Sequence, residues 1–209
     1  MKKSNIILLS ILIVFVIIII ALQVKVKNYV LTISETEYTT ESFSKIEVQK
    51  GWLVEIHKDS VTRIILTNDS LKNLIASDND NLILKESKEK SDHQKIIKIY
   101  NPNTKHFKTF GNSVVYYYSN NDDSLFMNLS DESNIVIHKE EGNQQKSESK
   151  ANTEIQYLYF SAWDNSRLNI HNNVVSLNGI LKDKSYCHLN GNIIIDKLEK
   201  SDRAKINSW

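Results

Sequence analysis

The feature that most constrains the fold is a repeat in the second half of the chain. Each copy starts with an acidic residue or glycine, has a small residue two positions later and has apolar residues four and six positions later. The starts lie 20, 33, 19 and 19 residues apart, at Gly111, Asp131, Asp164, Asp183 and Asp202. The small residues are Ser113, Ser133, Ser166, Ser185 and Ala204. The inner apolar residues are Val115, Ile135, Leu168, Cys187 and Ile206, then Tyr117, Ile137, Ile170 and Leu189, with Ser208 departing.

A repeat of about 19 residues with strand-like alternation predicts one coil of a β-solenoid. The small residue fits a tight corner, and the two apolar residues point inward because strand side chains alternate between faces. The leading Asp is expected to accept hydrogen bonds from backbone amides in its turn. Equivalent inner residues then stack from coil to coil, about 4.8 Å apart. A β-sandwich whose register matches by coincidence is the alternative.

Shorter alternating runs precede the repeat. Ile46 and Val48 alternate with polar residues before Gly51 breaks the run, and later runs end at similar turn clusters. The alternating runs and the repeat together predict a single all-β domain over residues 43–209. The polar stretch 139–151 accounts for the 33-residue spacing and is expected to be an inserted loop.

The N-terminal segment is strongly apolar. Residues 6–22 are interrupted only by Ser10 and Ala21. A helix over residues 6–26 would span roughly 31 Å, about the thickness of a bilayer's hydrocarbon core. The sequence thus predicts a short basic N-terminus (1–5), a transmembrane signal-anchor helix (6–26) and a linker (27–42) before the β domain.

A cleaved secretory signal is the alternative for this segment. Lys2 and Lys3 form the positive region that such signals carry, but the apolar stretch is long and no small-x-small cleavage site follows it. The positive charges ahead of the helix slightly outweigh Lys25 and Lys27 behind it. This bias favours a cytoplasmic N-terminus, a single-pass protein and a periplasmic or cell-surface domain.

Charge and cysteine usage exclude several classes of function. The chain has 26 basic and 25 acidic side chains, so no long-range field attracts nucleic acid. Its one cysteine, Cys187, cannot form an internal disulfide. Because Cys187 falls at an inner repeat position, a buried and unreactive thiol is expected.

Several segments, taken in order, resemble the head GIN domain family of auto-transporter adhesins. They are Phe43–Val48, Gly51, Val54–Ile56, Ile64–Thr67, Leu82–Leu84, Ile97–Pro102 and Phe107–Ser113, and the later repeats resemble the family's Gly-Ser or Asp-x-Ser coils. The resemblance covers residues 43–209 and implies a right-handed β-helix-like fold, export and no catalytic residues. This chain departs from the family in using Asp, Asn and Ser where Gly is usual, and in keeping its anchor.

No catalytic or cofactor motif is present. The chain lacks a phosphate-binding glycine loop, His-Glu-x-x-His, Cys-x-x-Cys and Gly-x-Ser-x-Gly. His138 and His171 each lie seven positions after a repeat start, which places them on one face with Asn190. If these residues bound a row of metal ions, the third ligand would be the side-chain amide of Asn190. We therefore expect exposed polar side chains there, and neither metal nor cofactor.

Carboxylate pairs raise calcium and glycosidase hypotheses but do not recur in register. The pairs are Asp78/Asp80, Asp122/Asp123 and Glu140/Glu141, and solvated turns are the expected explanation.

Aromatic residues are the better candidates for binding. If Tyr117 points inward, Tyr116 and Tyr118 point outward and could stack on sugar rings or a protein partner. Trp163, beside Asp164, is a further candidate. The alternative is that these rings pack beneath a loop such as 139–151.

These features predict a non-enzymatic, membrane-anchored cell-envelope protein that binds a glycan or an envelope protein. One alternative is a self-assembling scaffold that pairs through the C-terminal solenoid edge near Trp209. A polysaccharide-acting β-helix enzyme is a third hypothesis, which the lack of converging acids and bases disfavours.

Overall fold

The computed structural model describes residues 12–21, 23, 35–87, 95–119, 121–139 and 154–208. The predicted helix 6–26, the linker 27–42, the loop 139–151 and Trp209 lie wholly or partly outside these residues. The chain divides into two units, Met1–Glu35 and Thr36–Trp209. In the first, residues 12–21 are helical, but among the described residues no helix has the length and apolar character needed to cross a bilayer.

The second unit is built almost entirely from β-strands, as the sequence predicts. In chain order they are β1 Thr36–Thr39, β2 Lys45–Val48, β3 Trp52–His57, β4 Arg63–Leu66, β5 Ile75–Asp78, β6 Asn81–Leu84, β7 Lys95–Tyr100, β8 His106–Thr109, β9 Val114–Ser119, β10 Asp122–Leu129, β11 Asn134–Lys139, β12 Glu154–Ala162, β13 Arg167–His171, β14 Asn173–Leu181, β15 Tyr186–Leu189, β16 Ile193–Lys200 and β17 Lys205–Ser208. A 3-10 helix, Asp69–Leu74, lies between β4 and β5. Strand β1 falls within the segment 27–42 that was expected to be a linker.

The strands form two sheets. Sheet A has the order β1-β4-β7-β3-β9-β11-β13-β15-β17, and sheet B has the order β16-β14-β12-β10-β8-β2-β6-β5. From β8 onward the chain alternates between the sheets, so that each repeat unit consists of a sheet-B strand, a corner turn and a sheet-A strand. Neighbouring units pair in parallel in both sheets.

The register of sheet A follows the sequence repeat. Ile135 lies opposite Leu168, Leu168 opposite Cys187, and Cys187 opposite Ile206. The first three of these side chains are fully buried and Ile206 packs partly buried against the same core. The predicted stack of inner residues is therefore present.

The first half of the domain departs from simple winding. In sheet B, β2 lies between β6 and β8, and in sheet A, β3 lies between β7 and β9. The first strands of the domain therefore lie inside the sheets, with later strands on both sides. Strands β1 and β4 pair antiparallel, as do β4 and β7, and β5 and β6. The sheets are thus mixed rather than parallel throughout.

The repeat Asp residues have a different role from the one predicted. Asp131, Asp164 and Asp183 have φ of 54°, 51° and 55°, and Gly111 has 53° at the same position. Within the described residues, none of these three carboxylates accepts a bond from a turn amide, and that prediction is wrong. Asp recurs because it tolerates the left-handed backbone that a tight turn requires. Asp202 occupies the same repeat position without a positive φ.

The corner turns share one hydrogen-bond pattern. The amide of the small residue donates to the carbonyl three residues earlier, at 3.1 Å for Ser133 and Ser130, and at 3.0 Å for Ser166 and Trp163. Because the small side chain is buried, a larger residue would not fit the corner. These turns fix the strand register, so that equivalent outward side chains of successive units lie opposite each other.

Candidate functional site

The outer face of sheet A carries an unbroken row of stacked rings. We call Tyr100, His57, Tyr118, His138 and His171 the ring row; they lie on β7, β3, β9, β11 and β13. Their ring centroids are 5.3, 4.3, 5.4 and 5.4 Å apart in that order. Interplanar angles between 5° and 22° make every contact a stacked one.

Strand pairing explains why these rings meet. His57 lies opposite both Tyr100 and Tyr118, and Tyr118 lies opposite His138, which in turn faces His171. Residues that are directly opposite in neighbouring strands project from the same face. Each ring is half-buried, and its two neighbours along the chain point into the core or toward a corner.

Polar groups flank both ends of the row. The Arg63 guanidinium lies 4.1 Å from the Tyr100 ring centroid, in a cation–π geometry. At the other end, the Asn190 side-chain nitrogen lies 3.3 Å from Nδ1 of His171. The sequence prediction that His138, His171 and Asn190 share one face is confirmed.

A second tier of rings widens this surface. Tyr116 lies 5.9 Å from His138, and His188 lies 5.9 Å from His171. Tyr186 stacks on His188 at 6.4 Å. Tyr116 and Tyr118 therefore contact the same imidazole.

Burial and neighbouring charges shift the pKa values of two members of the row, His171 and Tyr118. Burial lowers the pKa of His171, and the neighbouring His138 and His188 lower it further because adjacent positive charges repel. The pKa of Tyr118 is raised, mainly by burial and then by Glu55 and Tyr116. At neutral pH, His171 therefore stays an uncharged imidazole and Tyr118 stays a protonated phenol.

The stacking determines which atoms a ligand can meet. Ring faces inside the row are covered by neighbouring rings, so the ring edges, with their hydroxyl and imidazole nitrogen atoms, face solvent. These atoms can both donate and accept hydrogen bonds. In the part of the chain that the structure describes, no group of three or more His, Cys, Asp or Glu side chains is placed to hold a metal.

The structure brings together two of the three candidate residues from the sequence. Tyr116 and Tyr118 lie side by side on β9, whereas Trp163 lies in the turn that joins β12 to β13. Sequence reasoning missed His57 and Tyr100. Alternation after Ile56 marks His57 as outward, but nothing local indicates that β3 lies between β7 and β9.

The outer face of sheet B has a shorter stack. His106, Phe126 and Tyr159 stack at 4.6 and 5.1 Å on β8, β10 and β12. Beyond Tyr159 the opposite residue is Asn178, so the stack ends there. Exposed apolar side chains concentrate on β12, β14 and β16; they are Tyr157 (51%), Tyr159 (40%), Val175 (38%), Ile194 (60%) and Ile195 (45%).

One carboxylate expected in a solvated turn is buried instead. The Asp122 side chain accepts hydrogen bonds from Tyr117 at 3.0 Å and from Ser119 at 2.6 Å, and it forms an ion pair with Lys58. It is a structural anchor at the start of β10, with its acceptor atoms already occupied.

Comparisons with known proteins give distant structural likenesses only. No family model matches the chain, and no curated protein is significantly similar to it. A "putative adhesin" from Bacteroides fragilis superposes with a TM-score of 0.49 at 15% identity, over 84% of this chain and 96% of that one. A "putative lipid binding protein" from Parabacteroides distasonis gives 0.45 at 11% identity, over 84% and 96%. A "putative adhesin" from Parabacteroides merdae gives 0.37 at 12% identity, over 84% and 95%. At this level the likenesses assign no function.

Proposed function

We propose that this chain is a non-enzymatic binding module of the cell envelope, and that the ring row receives a linear, hydroxyl-rich glycan. The observation that carries the proposal is the unbroken stack of five rings from Tyr100 to His171. It supplies a line of hydrogen-bonding edges repeated at the strand spacing, about 4.8 Å.

The chemistry of the row suits hydroxyl groups better than charged ligands. Each ring edge offers a donor, an acceptor or both, and a sugar hydroxyl can form a hydrogen bond with either kind of group. The row is also preorganised, because stacked rings lose little conformational freedom on binding. Arg63, which also pairs with Asp59 at 3.2 Å, and Asn190 add polar side chains at the two ends of the row.

The test compares matched tyrosines on opposite faces. Residues 36–209, which contain every member of the hydrophobic core, would be incubated with chitin, cellulose and purified peptidoglycan, and the retained fraction measured. Tyr118→Ala removes the central ring of the row and is expected to weaken retention roughly thirtyfold, as loss of a hot spot of about 2 kcal/mol does. Tyr159→Ala is the control, because it removes a stacked tyrosine from sheet B.

Retention of the wild type with selective loss in Tyr118→Ala would support the proposal. Failure to bind any of these polymers, or equal loss in both variants, would contradict it.

The proposal includes the finer architecture. We infer that the parallel repeat units form one right-handed β-solenoid of the head GIN type, supported by the 19-residue steps that join opposite residues such as Leu168 and Cys187. The same units expose side chains in continuous rows, which is the form of surface that an adhesion module needs. A crystal structure of residues 36–209 would test the handedness, and left-handed winding of these units would contradict the inference.

Membrane anchoring is also part of the proposal. All side chains from Leu12 to Ile20 are apolar and 42–63% exposed, which supports an apolar environment for this helical surface. With Lys2 and Lys3 ahead of it, the segment is suited to anchor a domain outside the cytoplasm. Protease accessibility of the domain on intact cells would test the orientation, and protection of the domain there would contradict it.

A further inference from the structure

Strand β16 forms one edge of sheet B and leaves core-facing side chains uncovered. Ile195 lies opposite Leu177, and Leu198 lies opposite Gly179. Leu177 is fully buried because β16 covers it, whereas Ile195 is 45% exposed. Beyond β16, no strand among the described residues pairs with this edge. The column of inner residues thus continues to the edge and stops there uncovered.

The charges on β16 are self-complementary. The strand reads Asp196-Lys197-Leu198-Glu199-Lys200. The register shifts at Asp196, and Lys197 already pairs with Glu199 of its own chain at 2.9 Å. When two copies pair antiparallel about Leu198, each Lys197 also lies opposite Glu199 of the other copy. Pairing the same strands parallel and in register would place every charge opposite its own kind, which destabilises a sheet.

We propose that a second copy of this chain docks on this edge, with the two β16 strands paired antiparallel around a two-fold axis at Leu198. The contact joins the two sheets B into one continuous sheet and covers Leu198 of both copies. It also extends the apolar surface formed by Tyr157, Val175 and Ile194, which lies on the strands nearest the edge.

The opposite edge of the same sheet is a poorer partner. Strand β5, Ile75–Asp78, is four residues long and carries Asp78 as its one charged side chain. Head-to-tail stacking of β16 on β5 would give a facing carboxylate, Asp78, to at most one of the two lysines of β16. The charge pattern therefore favours a closed dimer over an open fibre.

The experiment uses charge reversal with rescue. Residues 36–209 would be studied by sedimentation equilibrium between roughly 1 and 300 µM, a range that brackets weak to moderate dimers. Lys197→Glu and Glu199→Lys each create two like-charge contacts across the axis, and each is expected to weaken dimerisation roughly tenfold. The double variant restores opposite charges, and its dimerisation should return to near the wild-type value.

The matched control is Glu47→Lys on β2, where Glu47 forms an outer-face ion pair with Lys108 at 3.3 Å far from the edge. It should leave dimerisation unchanged. A wild type that stays monomeric throughout, oligomers that grow without limit, or a double variant no better than the single ones would each overturn the proposal. A dimer that responds to the single changes and is rescued by the double change would establish it.

Discussion

Replacing a repeat Asp by valine should separate the backbone role of this position from any role of its carboxylate. Asp164 has φ of 51° and Asn165 after it has 62°, so both central residues of this turn adopt the left-handed conformation. The Asp164 side chain is exposed, and nothing in the described structure hydrogen-bonds to it. Asp164→Val therefore removes no packing and changes mainly the strain of the turn.

The expected cost follows from that strain. A residue with a β-carbon loses roughly 1–2 kcal/mol in the left-handed region, and a β-branched residue lies at the upper end. Asp202→Val is the matched control, because Asp202 is also exposed and also leads its repeat but has no positive φ. Its cost should stay within about 0.5 kcal/mol. Asp164→Gly should cost little or should stabilise, because glycine adopts the conformation freely.

Urea unfolding of residues 36–209 measures these differences. With an m-value of about 2 kcal/mol/M, a loss of about 2 kcal/mol lowers the midpoint by about 1 M for Asp164→Val. The midpoint of Asp202→Val should move by less than about a quarter of that. Equal losses in the two valine variants, or a loss in Asp164→Gly as large as in Asp164→Val, would refute the argument that the turn conformation selects Asp.

Three further changes test the core. Gly179→Ala would place a methyl group 2.1 Å from Cε1 of Phe160, so thermal unfolding should show a loss of about 1–3 kcal/mol in the free energy of unfolding. Adding Phe160→Leu in the same chain should relieve this loss. No loss in Gly179→Ala would mean that the two strands do not pair as described. Burial raises the pKa of Cys187 to about 12, so a thiol reagent should label it at pH 8 only after denaturation, and rapid labelling of the native protein would contradict its inner position. Lys58→Met leaves the buried Asp122 with hydroxyl partners but no cation and should cost about 3 kcal/mol in urea unfolding, whereas a neutral result would show that the carboxylate reaches solvent.

Counting from the repeat starts predicted much of the domain's second half. A strand's two-residue period and a fixed repeat length together determine which residues share a face. The burial of Cys187 and the contact of His138 with His171 could therefore both be derived from position alone. The role of the repeat Asp in its turn could not be derived in this way, because Asp is favoured both for side-chain hydrogen bonds and for a left-handed backbone.

The first half of the domain was less predictable for a physical reason. Alternation identifies β2, β3 and β6 as strands, but which strands lie side by side depends on tertiary contacts between residues far apart in the chain. The ring row begins in this region, with Tyr100 and His57, so its full length was hidden from the sequence. The Lys58–Asp122 ion pair was hidden in the same way, since its partners are 64 positions apart.

Titration of His171 by NMR tests most directly whether successive repeats stack in register. Burial and the adjacent His138 and His188 should hold the pKa of His171 below the usual value for histidine, and His138→Asn should raise it by removing one of these neighbours. A His171 that titrates at the usual value, and does so regardless of residue 138, would show that the repeats do not stack as described.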